Sequence, residues 1–230
     1  MSRRDLLRGF LAALPLGPAV VAFGLLYGMM ARQVGLTPWE ALAMSAIVHA
    51  GSAQFTALGM WDVSGPVPII LTTFVINLRH LLMGASVAPY LRRLSLPWRA
   101  LLALWMSDES YALAIAAYDC GEGSRWYFLG ANLGIYLVWP VSGLVGALLG
   151  STVPEPGRYG LDLVFPLAFL GLLMTFLEDR TGVLVALASG GLALLGVFVL
   201  SGNWHVILAG LAGSGLGLVL DEVGRAWKRS

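Results

Sequence analysis

The sequence predicts an all-α polytopic membrane protein, and three observations predict it. Of 230 residues, 58% are hydrophobic and 12% charged, half of the roughly 25% that a soluble domain carries. The mean hydropathy is +0.79. The apolar residues fall into eight runs joined by short loops, none long enough for a soluble domain. With 14 basic and 13 acidic residues, a globule of this size could not cover its surface with charge. Disorder and coiled coil are excluded on the same count. A net charge of +1 gives no basis for a nucleic-acid partner. Cys120 is the one cysteine, so no internal disulfide forms.

Residues 9–31 carry no charge between Arg8 and Arg32. At about 1.5 Å per residue they reach roughly 34 Å, enough to span. Ser2–Arg8 resembles the start of a signal peptide, but the apolar run is too long for one and no small-residue cleavage site closes it. A retained first helix is expected. Further segments are 40–61, 66–91, 98–118, 126–150, 160–177, 182–200 and 203–220. Trp39, Trp61, Trp98, Trp126, Trp204 and Trp227 lie near segment ends, as in an aromatic belt. Gly24 and Gly28, Gly130 and Gly134, Gly146 and Gly150, and Gly213 and Gly217 are each four apart. That spacing puts both on one helix face, where backbones approach closely, and predicts tight helix packing.

Eight full crossings from a cytoplasmic N-terminus would place Arg92, Arg93, Arg99 and the basic tail outside, against the positive-inside tendency. Segment 40–61 is rich in polar residues, and 160–177 is short and holds Asp162 and Pro166. If both are broken or re-entrant, Arg3, Arg4, Arg8, Arg92, Arg93, Arg99, Arg158, Arg180, Arg225, Lys228 and Arg229 fall inside, with Arg32 and Arg125 outside. Position 95 is then cytoplasmic and 122 external. Each of these two segments follows a glycine-spaced helix and a proline-containing loop, which predicts 3+3 inverted repeats, 1–120 and 121–230, within one domain of 1–230.

Three polar clusters sit mid-segment. A charge near the bilayer centre costs at least about 2.5–3.5 kcal/mol, so each is a functional candidate. The first is Ser45, then His49-Ala50-Gly51-Ser52-Ala53-Gln54-Phe55-Thr56. On a helix Ser45, His49, Ser52 and Thr56 share a face and Gln54 points elsewhere. A break at Gly51-Ser52 would free backbone N–H groups for an anion such as a carboxylate. Ser45 and Thr56 also fit ordinary hydroxyl-to-carbonyl bonds, whereas His49 and Gln54 are costly to bury without a role. The second cluster is Asn77-Leu78-Arg79-His80, with Asn77 and His80 on one side of a regular helix. Arg79 fits both a structural pair with a carboxylate and the binding of a substrate carboxylate. The third is Ser107-Asp108-Glu109-Ser110-Tyr111, at the centre of 98–118. One acid can pair with Arg79 and the other carry a proton; which does which stays open. No HExxH or GxSxG is present, so an intramembrane enzyme using His49, His80 and Asp108 is the weaker reading. A metal site or cofactor is not expected.

The run His49–Phe55, then Asn77-Leu78-Arg79-His80-Leu81-Leu82-Met83, then Asp108-Glu109-Ser110-Tyr111-Ala112-Leu113, resembles the AzlC-type branched-chain amino acid permease family. Gly17-Pro18, Phe23-Gly24, Trp139 and Gly146-x3-Gly150 fit as well. His49 departs from the family pattern, which has an apolar or aromatic residue there. The resemblance implies a bacterial inner-membrane exporter of valine, leucine, isoleucine and related analogues, working with a small AzlD-type subunit. The expected function is therefore secondary, proton-coupled export of small neutral amino acids, with both termini cytoplasmic. Gly51, Ser52, Gln54, Phe55, Asn77 and Arg79 are the expected substrate-binding residues, Phe55 and Leu82 receiving the branched chain. His49, His80, Asp108, Glu109 and Tyr111 are expected to handle protons or ion pairs. A channel or carrier for another solute is the alternative.

Overall fold

The structure, a computed structural model, describes residues 2–152, 170, 173, 174, 177, 180–199 and 204–227. Every regular element among these residues is helical. Among the described residues, four helices are long and apolar enough to cross a membrane: Arg3–Gln33, Pro66–Leu91, Arg125–Gly150 and Thr181–Val199. The all-α membrane class holds. Packing divides the chain into two compact units. The first gathers residues up to Gly59 and those from Thr73 through the long helix that starts at Arg125. The second gathers Met60–Thr72 and the C-terminal helices.

In the first unit, α1 (Ser2–Ala13) and α2 (Gly17–Gln33) join through a 3₁₀ turn at Leu14–Leu16 and together make the first span. α3 (Pro38–Val48) starts under a Thr37–Glu40 capping box, which supplies partners for its first N–H groups. It stops at His49, whose backbone is left-handed (φ 39°, ψ 43°), and α4 (Gly51–Met60) begins two residues later. Ser45 and Gln54 would lie about 13.5 Å apart along a continuous helix, yet Gln54 Nε2 donates to Ser45 Oγ at 3.4 Å. Phe55 packs edge-on against Phe23 and Tyr27. The Tyr27 hydroxyl in turn donates to the Ala41 carbonyl near the start of α3. α4 therefore turns back towards the end at which α3 entered. The expected break in 40–61 is present, but at His49-Ala50 rather than at Gly51-Ser52, which open the second helix.

α5 (Pro66–Asn77) and α6 (Arg79–Leu91) form the next span, interrupted at Leu78. The expected single crossing at 98–118 is instead two helices, α7 (Leu96–Leu104) and α8 (Asp108–Asp119). α7 rises beside α9 (Arg125–Thr152). Trp98 meets Trp126, Asn132 Nδ2 donates to the Leu102 carbonyl at 3.0 Å, and Trp105 stacks on Tyr136. α8 then brings the chain back. Glu122 pairs with Arg8, and the Ser124 hydroxyl donates to Asp5. Arg125 lies over the rings of Trp98 and Trp126. Positions 95 and 122, expected on opposite sides, are thus at the same end, and Arg125 joins them there. The physical reason is at Ser107. A serine cap followed by two acids favours the first turn of a helix over its middle.

α9 runs parallel to α1 and α2. A Cβ on Gly9 would strike the Tyr127 carbonyl, one on Gly28 the Gly143 carbonyl, and one on Gly146 the Leu25 carbonyl, so the contacts climb both helices together. Of the four-spaced glycines, Gly28, Gly130, Gly146 and Gly150 lie against main chain, and Gly24, Gly134, Gly213 and Gly217 lie nearest to the side chains of Ser142, Ala13, Ser189 and Val185. The close helix packing is what their spacing predicts. The 3+3 repeat requires 9–31 and 126–150 to run in opposite directions, and they run in the same one. Its other member, 160–177 with Asp162 and Pro166, lies outside the described residues, as do Arg158, Lys228 and Arg229.

Two fold-backs thus enter the unit from opposite ends. α3–α4 comes from the Arg32 end and α7–α8 from the end where α1 begins. α6 descends to that second end, where Met83, Val87 and Leu91 pack with Leu102, Phe128 and Leu129, and Tyr90 stacks on Tyr118. Arg3, Arg4, Arg8, Arg92, Arg93, Arg99 and Arg125 therefore gather at one end of the unit. In the second unit, the helices Arg180–Val199 and Trp204–Trp227 pack together, Gly213 against Ser189.

Candidate functional site

Each polar cluster lies at a helix interruption of the first unit, and the three interruptions converge. Arg79, the first residue of α6, sits midway along the Pro66–Leu91 span. Its Nη2 is 2.9 Å from Asp108 Oδ2 and donates to Ser52 Oγ at 2.7 Å. One guanidinium thereby holds α4 of one fold-back and α8 of the other. Its Nε is buried with no partner. The Asp108 side chain is 49% exposed and that of Arg79 28%, so the pair is open on the carboxylate side.

The start of α8 explains the acids. Ser107 has extended backbone, and the Ser110 N–H donates to its hydroxyl at 3.3 Å while Ser110 Oγ receives the Ser107 N–H at 2.9 Å. Asp108 and Glu109 follow in the first turn, where the aligned peptide dipoles favour negative charge. The opposite fold-back behaves differently. α4 begins at Gly51, directly under the Trp139 ring, where a Cβ would come within 2.9 Å of the indole. Its first turn offers backbone N–H groups beside Ser52 and Arg79. One break therefore presents backbone N–H groups, and the other presents two carboxylates.

Behind this pair, Gln54 is fully buried. It receives the Trp139 indole N–H at 2.8 Å and donates to Ser45. It does not point away from Ser45, because the left-handed residue at 49 rotates α4 relative to α3. Phe55 is 4% exposed, boxed by Phe23, Tyr27 and Trp139. Leu82 is 75% exposed, away from the cluster. His49 is buried and its ring meets Tyr136 edge-on, with centroids 4.8 Å apart. Tyr136 stacks on Trp105 from the other fold-back and donates to the Ala46 carbonyl. His80 Nδ1 is 3.3 Å from the Asn77 carbonyl, and Asn77 Oδ1 is buried without a partner. Tyr111 donates to Ser86, outside the cluster. Thr56 donates to the Ser52 carbonyl, the ordinary hydroxyl role. Glu109 is half-buried.

Tyr136 and Asn132 escaped the sequence reading. Asn132 is fully buried and anchors α7. A tyrosine in the middle of an apolar run, rather than at its end, is the signal that marks Tyr136.

Long apolar helices, opposed fold-backs and an ion pair at their meeting point define a polytopic membrane protein with a polar centre midway along its Pro66–Leu91 span. The chain belongs to the AzlC protein family, whose model matches residues 15–153, a stretch containing both fold-backs and the Arg79–Asp108 pair. It is similar to an uncharacterized membrane protein of Archaeoglobus fulgidus, 29% identical over 90% of this chain and 91% of that one. It is also similar to the inner membrane protein YgaZ of Escherichia coli, 26% identical over 94% of this chain and 89% of the other. The branched-chain amino acid transport protein AzlC of Bacillus subtilis is 25% identical over 91% of this chain and 82% of its own length. No solved structure matches the chain.

Proposed function

We propose that this protein exports small neutral amino acids, branched-chain ones foremost, across the bacterial cytoplasmic membrane at the expense of the proton gradient. The observation that carries the reading is the Arg79–Asp108 pair at the junction of two opposed fold-backs. A zwitterion entering the membrane loses water from both of its charges, and each then needs an opposite partner. Arg79, with the start of α4 around Gly51 and Ser52, takes the carboxylate, and Asp108 takes the ammonium. The substrate exchanges one ion pair for two, so the site stays neutral with and without cargo. The name of the Bacillus relative supports amino acids as the cargo. The positive-inside tendency supports a cytoplasmic position for the arginine-rich end, and with it for the N-terminus. The resemblance to AzlC-type permeases supports outward transport and a small AzlD-type membrane subunit as partner.

The test is efflux from preloaded proteoliposomes, with and without a candidate small subunit, over neutral, acidic and basic amino acids. L-Leucine and L-valine should leave wild-type vesicles and stay in those made with Arg79→Ala. Equal efflux from both would remove Arg79 from the site, and no amino acid efflux at all would overturn the function.

A further inference from the structure

His49 is in an unusual position for a histidine. It is 7% exposed, and neither ring nitrogen has a hydrogen-bond partner. Among the described non-glycine residues it alone has positive φ, at 39°. A neutral imidazole carries one N–H donor and one bare acceptor nitrogen, and buried polar atoms are nearly always paired. Packing does not account for the residue, since an apolar side chain would fill the space without orphaned atoms. The backbone does not account for it either, since asparagine or glycine tolerates that conformation better.

The titratable groups around the ring come from three elements. Tyr136 of α9 lies against it. Glu109 of α8 and His80 of α6 act on it electrostatically. α3 and α4 contribute no charged side chain here. His49 is also the turning point of one fold-back, linked through Tyr136 to Trp105 at the turning point of the other.

We propose that His49 is the site of the coupled proton, separate from the zwitterion site at Arg79 and Asp108. The inference rests on the transport reading above. A hydronium ion gives its proton to the bare ring nitrogen: one O–H bond breaks, one N–H bond forms, water is left and the ring becomes an imidazolium. Glu109 balances the new charge, and the Tyr136 ring at 4.8 Å is within cation–π range. Arg79 and Asp108 need not change protonation, so proton and amino acid use different groups. Outward transport against an inward proton gradient has them ride in alternate half-cycles, the proton entering as the amino acid leaves.

Two assays on proteoliposomes with L-leucine separate the parts. Exchange of labelled for unlabelled leucine without a pH gradient reads substrate handling. Accumulation under an imposed one-unit gradient reads coupling, and one coupled proton supports about tenfold accumulation. His49→Asn, which suits the left-handed backbone, should keep exchange and lose the accumulation. Its exchange should also lose the wild-type pH profile. Full accumulation by His49→Asn would overturn the proposal. So would loss of exchange in both His49→Asn and His49→Gln, which would make the residue structural or substrate-binding. Wild-type exchange without any response to the gradient would overturn the proton site alone. Absence of exchange in wild type would overturn the transport reading itself.

Discussion

The α3–α4 fold-back turns on a buried histidine in left-handed backbone and restarts at a glycine under a tryptophan ring. The α7–α8 fold-back turns through Trp105–Ser107 and restarts under a serine capping box with two acids in its first turn. The first leaves the N–H end of its helix open to an anion, and the second fills that end with carboxylates. The difference teaches that one backbone device, repeated from opposite sides, makes a dipolar site once its caps differ. Arg79 reads both, holding Ser52 on one side and Asp108 on the other.

Removing the cationic subsite should do the most damage short of losing Arg79. Asp108→Asn keeps the side chain's size but not its charge. A hydrogen bond to a charged group contributes about 1.5–3 kcal/mol, so initial leucine efflux should fall by roughly tenfold or more. Unchanged efflux would detach the acidic fold-back from substrate. Ser52→Ala, on the other fold-back, removes one neutral partner of Arg79. Water can take the place of the hydroxyl beside the partly exposed guanidinium, which keeps Asp108. Efflux should therefore fall only about threefold, nearer the roughly 0.5–1 kcal/mol net of an ordinary hydrogen bond. A larger effect than that of Asp108→Asn would reverse the comparison. Ser107→Ala takes away the cap and should lower stability by about 1 kcal/mol, read as a lower melting temperature in detergent. Ser52→Ala should leave that temperature nearly unchanged. The least disruptive test concerns direction. In a Cys120→Ser background, Ser95→Cys and Glu122→Cys should both react with an impermeant thiol reagent added from the same side. Labelling from opposite sides would make α7–α8 a crossing.

Much of this centre was legible from residue chemistry. His49, Gln54, Arg79 and Asp108 stand out because charge and amide groups are expensive in an apolar run, and the glycine at 51 marks a break. The pairing of Arg79 with Asp108 follows from charge once both are placed mid-membrane. The contact with Ser52 does not, because it depends on where α4 points after His49. The second fold-back was missed for a local reason. Ser107-Asp108-Glu109-Ser110 falls at the middle of the apolar run 98–118 and so resembles the polar centre of one helix, although a serine before two acids is a start signal. That one miss misplaced Arg125 and position 122. The direction of α9 followed it, since orientation accumulates along the chain with each crossing.

The glycine contacts between α2 and α9 carry a mechanical meaning. Gly28 lies against Gly143, and Gly146 against Leu25, with no side chains between them to act as bearings. Main chains seated that closely cannot slide by a fraction of a residue without collision, so the two rods form a chassis. On the proposed transport reading, the alternation that carries cargo across comes from the hinged half-helices hung on that frame, with the guanidinium of Arg79 as the contact they share.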